Sequence, residues 1–150
     1  MKLLEWVARF QRRTPKPQVT FQAKNLMRQT ILATRLEVAD TGAKRNQGLL
    51  GRAGLADGEG LWIFPCQSVH TIGMQFSLDL VYLDSHHRVK KVAEAVPAWR
   101  VSMCLTAQSV LELPAGTLEA TQTRKGDMLQ LSPVPDGAEN IGFTAGPGTP

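Results

Sequence analysis

Apolar residues recur at period two through most of this chain, and the stretches that carry the alternation are short. Across Thr30–Val38 the residues Leu32, Thr34, Leu36 and Val38 alternate with polar or small neighbours, the pattern of a strand with one wet face. Leu61–Phe64 reads as another strand. Leu78–Leu83 is apolar at almost every position, which predicts a central strand covered on both faces. Arg88–Val92 pairs with it across the turn Asp84-Ser85-His86-His87. Ser109–Leu113 and Met128–Leu131 follow as later strands, with Pro114-Ala115-Gly116 and Lys125-Gly126-Asp127 as punctuation. Two segments have helical spacing instead. Leu3, Trp6, Val7 and Phe10 form one stripe that ends at Thr14-Pro15-Lys16-Pro17, because proline supplies no N–H and restricts the residue before it. Thr41 is placed to cap a helix through Leu50 that Gly51 would end.

Many short strands at this spacing predict a mainly β domain, either a compact jelly-roll-like sandwich or a partly open barrel, with one or two short helices. The expected organisation is a basic amphipathic arm over residues 1–18, a β body over 19–132, and a Pro/Gly-rich mobile tail over 133–150. At 150 residues the chain suffices for one domain with a substantial core.

Charge narrows the function classes. Up to Arg28 seven basic residues stand against Glu5 alone; from Gln29 onward ten basic residues face twelve acidic ones. The overall charge of +4 therefore belongs to the arm, and a nucleic-acid-binding domain with a basic folded face is not expected. No apolar run approaches the roughly 18 residues of a membrane span. Glu5 and Arg9 interrupt the first segment where an export signal would be continuously apolar. The arm is read as a terminal helix docked on its own domain or frayed, with weak membrane-surface contact as the alternative. Two cysteines, Cys66 and Cys104, are too few for a disulfide framework, so reduced thiols in a cytoplasmic protein are expected, with one disulfide between them as the alternative for an exported protein. A monomer is expected.

The residues with chemical potential concentrate between Arg45 and Asp84. Cys66 and His70 are four apart and would share a face on a helix, but no further ligands stand at metal-site spacing, and a buried thiol beside a hydrogen-bonded imidazole is the expected case. No metal and no cofactor are expected. Asp79 sits inside an apolar strand, where burial raises a carboxyl pKa unless a partner holds the charged form. Arg45 and Arg52 are the partners considered, since a guanidinium satisfies a carboxylate with two bonds. Glu112, inside Val110–Leu113, poses the same question. The glycines around Arg52 lack any phosphate-loop ending, and Trp62 and Trp99 are isolated aromatics.

Taken together, Arg45, Gly48-Leu49-Leu50-Gly51-Arg52, Leu55, Gly58, Gly60-Leu61, Phe64, Leu78-Asp79, Leu83-Asp84, Val89, Val110-Leu111-Glu112-Leu113, Ala115-Gly116 and Gly126-Asp127 resemble the bacterial and archaeal family known as domain of unknown function 192 (DUF192). The resemblance covers roughly Ile31 to Leu131. It implies a compact, mostly β, jelly-roll-like sandwich, and it brings no established activity. Many members of that family carry Trp-Met-Lys-Asn shortly before the Leu-Asp pair; here His70-Thr71-Ile72-Gly73 stands at that spacing, with Cys66 upstream.

The leading expectation is a non-catalytic domain whose polar cleft binds a small molecule or a partner segment, lined by Arg45, Arg52, His70, Thr71, Asp79 and Trp99. One alternative is a hydrolase with Asp79 or His70 as acid or base. The other is an accessory protein held at a membrane surface by its N-terminal arm.

Overall fold

A computed structural model describes residues 19–135. The expectations for the N-terminal arm, and for the tail beyond Pro135, lie outside the described residues. Among the described residues, nine strands and two short helices follow in the order β1 (Thr20–Asn25), β2 (Thr30–Ala39), α1 (Gly42–Gln47), β3 (Glu59–Ile63), β4 (Ser68–His70), β5 (Leu78–Leu83), β6 (Val89–Val96), β7 (Val101–Met103), β8 (Ser109–Pro114), α2 (Thr117–Thr121) and β9 (Leu129–Val134). The body is mainly β, as the patterning implies. Strand β9 runs two residues past the expected limit at 132 because Pro133 and Val134 pair with Phe21 and Thr20 of β1.

Seven strands form one sheet in the order β6-β5-β8-β3-β2-β1-β9, and β4 with β7 makes a separate two-stranded ribbon. All neighbours are antiparallel except β2 and β3, which run parallel with Leu36 opposite Gly60 and Val38 opposite Trp62. The sheet is not closed into a barrel. Its edges approach at one end, where Arg88 and Met128 form a bridge, flanked by Val89 N–H to Asp127 C=O at 2.9 Å and Leu129 N–H to His87 C=O at 3.0 Å.

Strand β5 lies between β6 and β8, and all six of its residues are buried. Its alternate side chains serve two cores. Val81 and Leu83 join Leu111, Leu113, Leu36, Leu118 and Leu129 on one face of the sheet. Leu78, Leu80 and Tyr82 join Leu61, Ile63, Val110, Leu49, Val69 and Met74 on the other. Each fully buried Leu in such a cluster contributes about 1.5–3 kcal/mol. The second face is the one the β4–β7 ribbon and the α1 region cover, and the cleft described below opens there.

Polar clamps tie the hairpins to the body. Asn25 closes the β1–β2 turn by accepting from the amides of Met27 and Arg28, while its side-chain amide donates to Asp127 at 2.9 Å and to Thr123 at 3.0 Å. Arg28 adds a second hold on Asp127 at 3.2 Å. The predicted turn after β5 forms around Asp84, whose Oδ1 accepts from His86 and Arg88 amides.

Candidate functional site

The cleft is built by three segments that are distant in sequence. The first is α1. Thr41 caps it, its hydroxyl accepting from the Lys44 amide at 3.3 Å, as the sequence implies. The helix is shorter than expected. It stops at Gly48, whose φ of +48° turns the chain out of the helix and is far easier for glycine than for any other residue. From this helix Arg45 reaches inward, half-buried, and its Nη1 donates to the carbonyls of Asp40 at 2.9 Å and Phe64 at 3.4 Å.

The second segment runs from Pro65 to His70. Cys66 and His70 do not share a helical face, because Ser68–His70 is strand β4, pairing with β7 in the register Ser68–Met103, Val69–Ser102 and His70–Val101. Val69 points into the core, and Ser68 and His70 are exposed. Cys66 is half-buried, its amide held by Gln108 C=O at 2.9 Å and its thiol directed at Ser68 C=O at 3.1 Å.

The third segment is β8, which contributes Glu112. Strand pairing sets this carboxyl between Leu61 and Leu80 on the face below the ribbon. Gly60 permits the tight packing beside it: a Cβ there would lie 2.9 Å from the Glu112 carbonyl oxygen and 2.7 Å from Leu36. Glu112 is 4% exposed, and its Oε2 is buried with no hydrogen-bond partner. Burial pushes its pKa up from 4.5 to about 7, against the pull of the Arg52 charge.

Together these segments enclose a cleft of about 520 Å³, lined by Arg45–Leu50, Ile63, Pro65–His70, Met74 and Glu112. That volume falls in the range that accommodates a small ligand. Burial also raises the Cys66 thiol, with the Ser68 hydrogen bond and the Arg45 charge acting against it and the Glu112 charge reinforcing it. A thiol so held stays protonated near neutral pH and is a weak nucleophile. Among the described residues, no three His, Cys, Asp or Glu side chains are grouped so as to hold a metal ion.

Of the six side chains expected to line a common cleft, two do so, Arg45 and His70. Arg52 is not paired with Asp79; it forms a two-pronged ion pair with Glu37 at 2.8 and 3.1 Å, beside a smaller hollow. Nor does Asp79 meet Arg45. Backbone amides satisfy it instead, Ala95 N–H on Oδ1 and Leu118 N–H on Oδ2, both at 2.8 Å. With 1% exposure and both oxygens occupied, it fastens β6 and the start of α2 to the central strand. Thr71 is equally buried: its hydroxyl donates to Pro97 C=O at 2.7 Å and accepts from the Arg100 amide at 2.9 Å. Trp99 is 67% exposed on the following turn, away from the cleft lining.

Glu112 and Cys66 are among the cleft residues that the six omit. The signal for Glu112 was present in its setting, an acid at an inward position of an apolar strand. Its neighbours were not, since Leu61 and Leu80 come alongside only through long-range pairing.

Among the described residues, no helix is long and apolar enough to cross a membrane. Two solved structures share the fold. One is a Sinorhizobium meliloti protein named as a candidate transcription regulator, 21% identical, with a TM-score of 0.66 over 75% of this chain and 92% of that one. The other is a protein of unknown function from Novosphingobium aromaticivorans, 20% identical, with a TM-score of 0.66 over 79% of this chain and 89% of that one. No functionally curated protein matches the sequence. The model of the DUF192 family, described as an uncharacterized ACR, matches residues 23–131, almost the whole described body. The chain belongs to the DUF192 family.

Proposed function

We propose that this domain binds a small polar ligand in the cleft between α1, the Pro65–His70 segment and β8, and that it does so without catalysis. The observation that supports the reading is Glu112. A buried carboxyl oxygen with no partner costs about 1–3 kcal/mol or more, and a fold keeps such a group where something else completes its hydrogen bonding. Glu112 lines a cleft in which apolar side chains such as Leu49, Ile63, Val69 and Met74 alternate with polar ones, so that a ligand there meets both a hydrophobic wall and hydrogen-bonding groups.

The absence of catalysis rests on the relations among the polar side chains. Among the described residues, no hydrogen bond links Glu112, Cys66 and His70 into an acid–base–nucleophile relay. The name of the Sinorhizobium meliloti protein suggests gene regulation, for which ligand sensing is a natural input. Direct DNA contact is not part of this proposal, since the chain from Gln29 onward is not basic.

The test is an amide NMR titration of the full chain with three sets of small molecules: carboxylic acids, polyols and diamines. Amides of Gly48, Cys66 and Val69 are expected to shift with at least one set, while those of Thr30 and Ala120 stay still. If no set moves the cleft amides, the binding reading is wrong.

A further inference from the structure

The polar groups of the cleft lie at different depths, and that difference selects a ligand. At the floor, the Glu112 carboxyl is 4% exposed with an unpartnered oxygen. Nearer the mouth, the Arg45 guanidinium rests on two carbonyl oxygens rather than on a carboxylate. It takes part in none of the ion pairs among the described residues, so no described carboxylate neutralises its charge. Its Nη1 is engaged, which leaves the Nε and Nη2 donors of the guanidinium fork. Leu49, Ile63, Val69 and Met74 supply the apolar wall.

Resting on the binding function argued above, we propose that the cleft takes a monocarboxylic acid that carries a hydroxyl group and an apolar side chain. The carboxylate sits on Arg45, the hydroxyl on Glu112, and the side chain against Leu49, Val69 and Met74. A planar guanidinium is the best-matched protein partner for a carboxylate. A hydroxyl suits the floor because it can donate to an ionised carboxylate or accept from a neutral carboxylic acid, and so completes the Glu112 hydrogen bonding in either state. A second carboxylate would meet Glu112 as a like charge in a poorly solvated site. An amine would carry a positive charge past Arg45, with Arg52 also acting on the floor.

A matched set of probes separates these contacts: mandelate, phenylacetate, which lacks the hydroxyl, and 1-phenylethane-1,2-diol, which lacks the carboxylate. Calorimetric titration of the unsubstituted full chain should show mandelate binding about tenfold or more tighter than either analogue, because each loses one hydrogen bond to a charged or buried group. E112L should erase the preference for mandelate over phenylacetate, and R45Q the preference for mandelate over the diol. The comparison on the unsubstituted protein decides the matter even if a variant fails to fold. Equal affinity for mandelate and phenylacetate, or tightest binding of the diol, would overturn the proposal. If none of these probes moves the cleft amides while the polyol or diamine set does, the ligand class is wrong and the binding function stands; if nothing moves them, both fall.

Discussion

Replacing Glu112 by glutamine removes a buried carboxyl with one unpartnered oxygen, and the consequence is a change in how stability depends on pH. Unfolded, this carboxyl titrates near its ordinary 4.5; folded, burial moves it to about 7. Below the lower value both states are protonated and no penalty exists. As pH rises between the two values the unfolded chain ionises while the native one must stay neutral, so stability falls, and it levels off once the native carboxyl ionises as well. The separation corresponds to a loss of about 3 kcal/mol, at roughly 1.4 kcal/mol for each pH unit between the two states. Glutamine has nearly the same shape as the neutral acid and does not titrate. E112Q should therefore match the parent near pH 4.5 and exceed its stability by about 3 kcal/mol near pH 8. Urea unfolding of both proteins at steps of about half a pH unit measures this directly. Contributions from other groups cancel in the difference between the curves. If that difference stays constant to within about 0.5 kcal/mol across the range, Glu112 is not the buried acid described here.

Three further substitutions probe the scaffold around the cleft. D79A leaves the Ala95 and Leu118 amides without their acceptor and should cost about 2–5 kcal/mol in chemical denaturation; a loss below about 1 kcal/mol would show that water or a shifted backbone replaces the carboxylate. Burial alone would raise the Asp127 pKa, but hydrogen bonds from Arg28, Asn25 and the Arg124 amide outweigh it and hold the carboxyl below its ordinary 3.8. The stability this contributes is present above that value and is lost as pH falls through the lower folded value, so D127N should flatten the acid limb of the unfolding profile; an unchanged limb would remove Asp127 from the account. W99S, at an exposed turn, should alter stability by no more than about 0.5 kcal/mol and leave the cleft amides in place, and a larger thermal shift would mean that the ring packs against the body.

The strand positions were readable from local sequence, although strict alternation fails in β2, where irregular pairing with β1 leaves Ala33 buried beside Leu32 and Thr34 exposed. Leu78–Leu83 is apolar on both faces and is indeed central, between β6 and β8. The site was only half readable, for a reason visible in Asp79. Its position in an apolar strand announced that something must satisfy it, and composition pointed to arginine. The donors proved to be amides 16 and 39 residues away, which no side-chain inventory reveals. Arg52 found a different acid, Glu37, because the chain that follows α1 returns alongside β2. Cys66 and His70 were conspicuous, but the shared face that a helix would give them does not form, in keeping with Pro65 and the β-branched Val69 and Ile72: β4 has a partner strand in β7, and pairing turns Val69 inward and His70 out. Glu112 shows the other side of this limit, since the residue was noticeable and only its opening onto a cleft was not.

The parallel pairing of β2 with β3 has a consequence for how such a domain can diversify. Antiparallel neighbours can be joined by two residues, whereas parallel ones require a long crossover. Here the crossover from Asp40 to Gly58 carries α1, Arg45 and the Gly48–Leu50 wall, and it is tied back to β2 by the Thr34 and Arg35 amides on Gly58 C=O. Lengthening such a connection costs little closure entropy and leaves strand register untouched. The obligation imposed by one strand direction therefore supplies a replaceable rim on a fixed sheet. Under the proposed binding function, ligand preference can drift through the crossover while the floor residue on β8 and the core beneath it stay as they are.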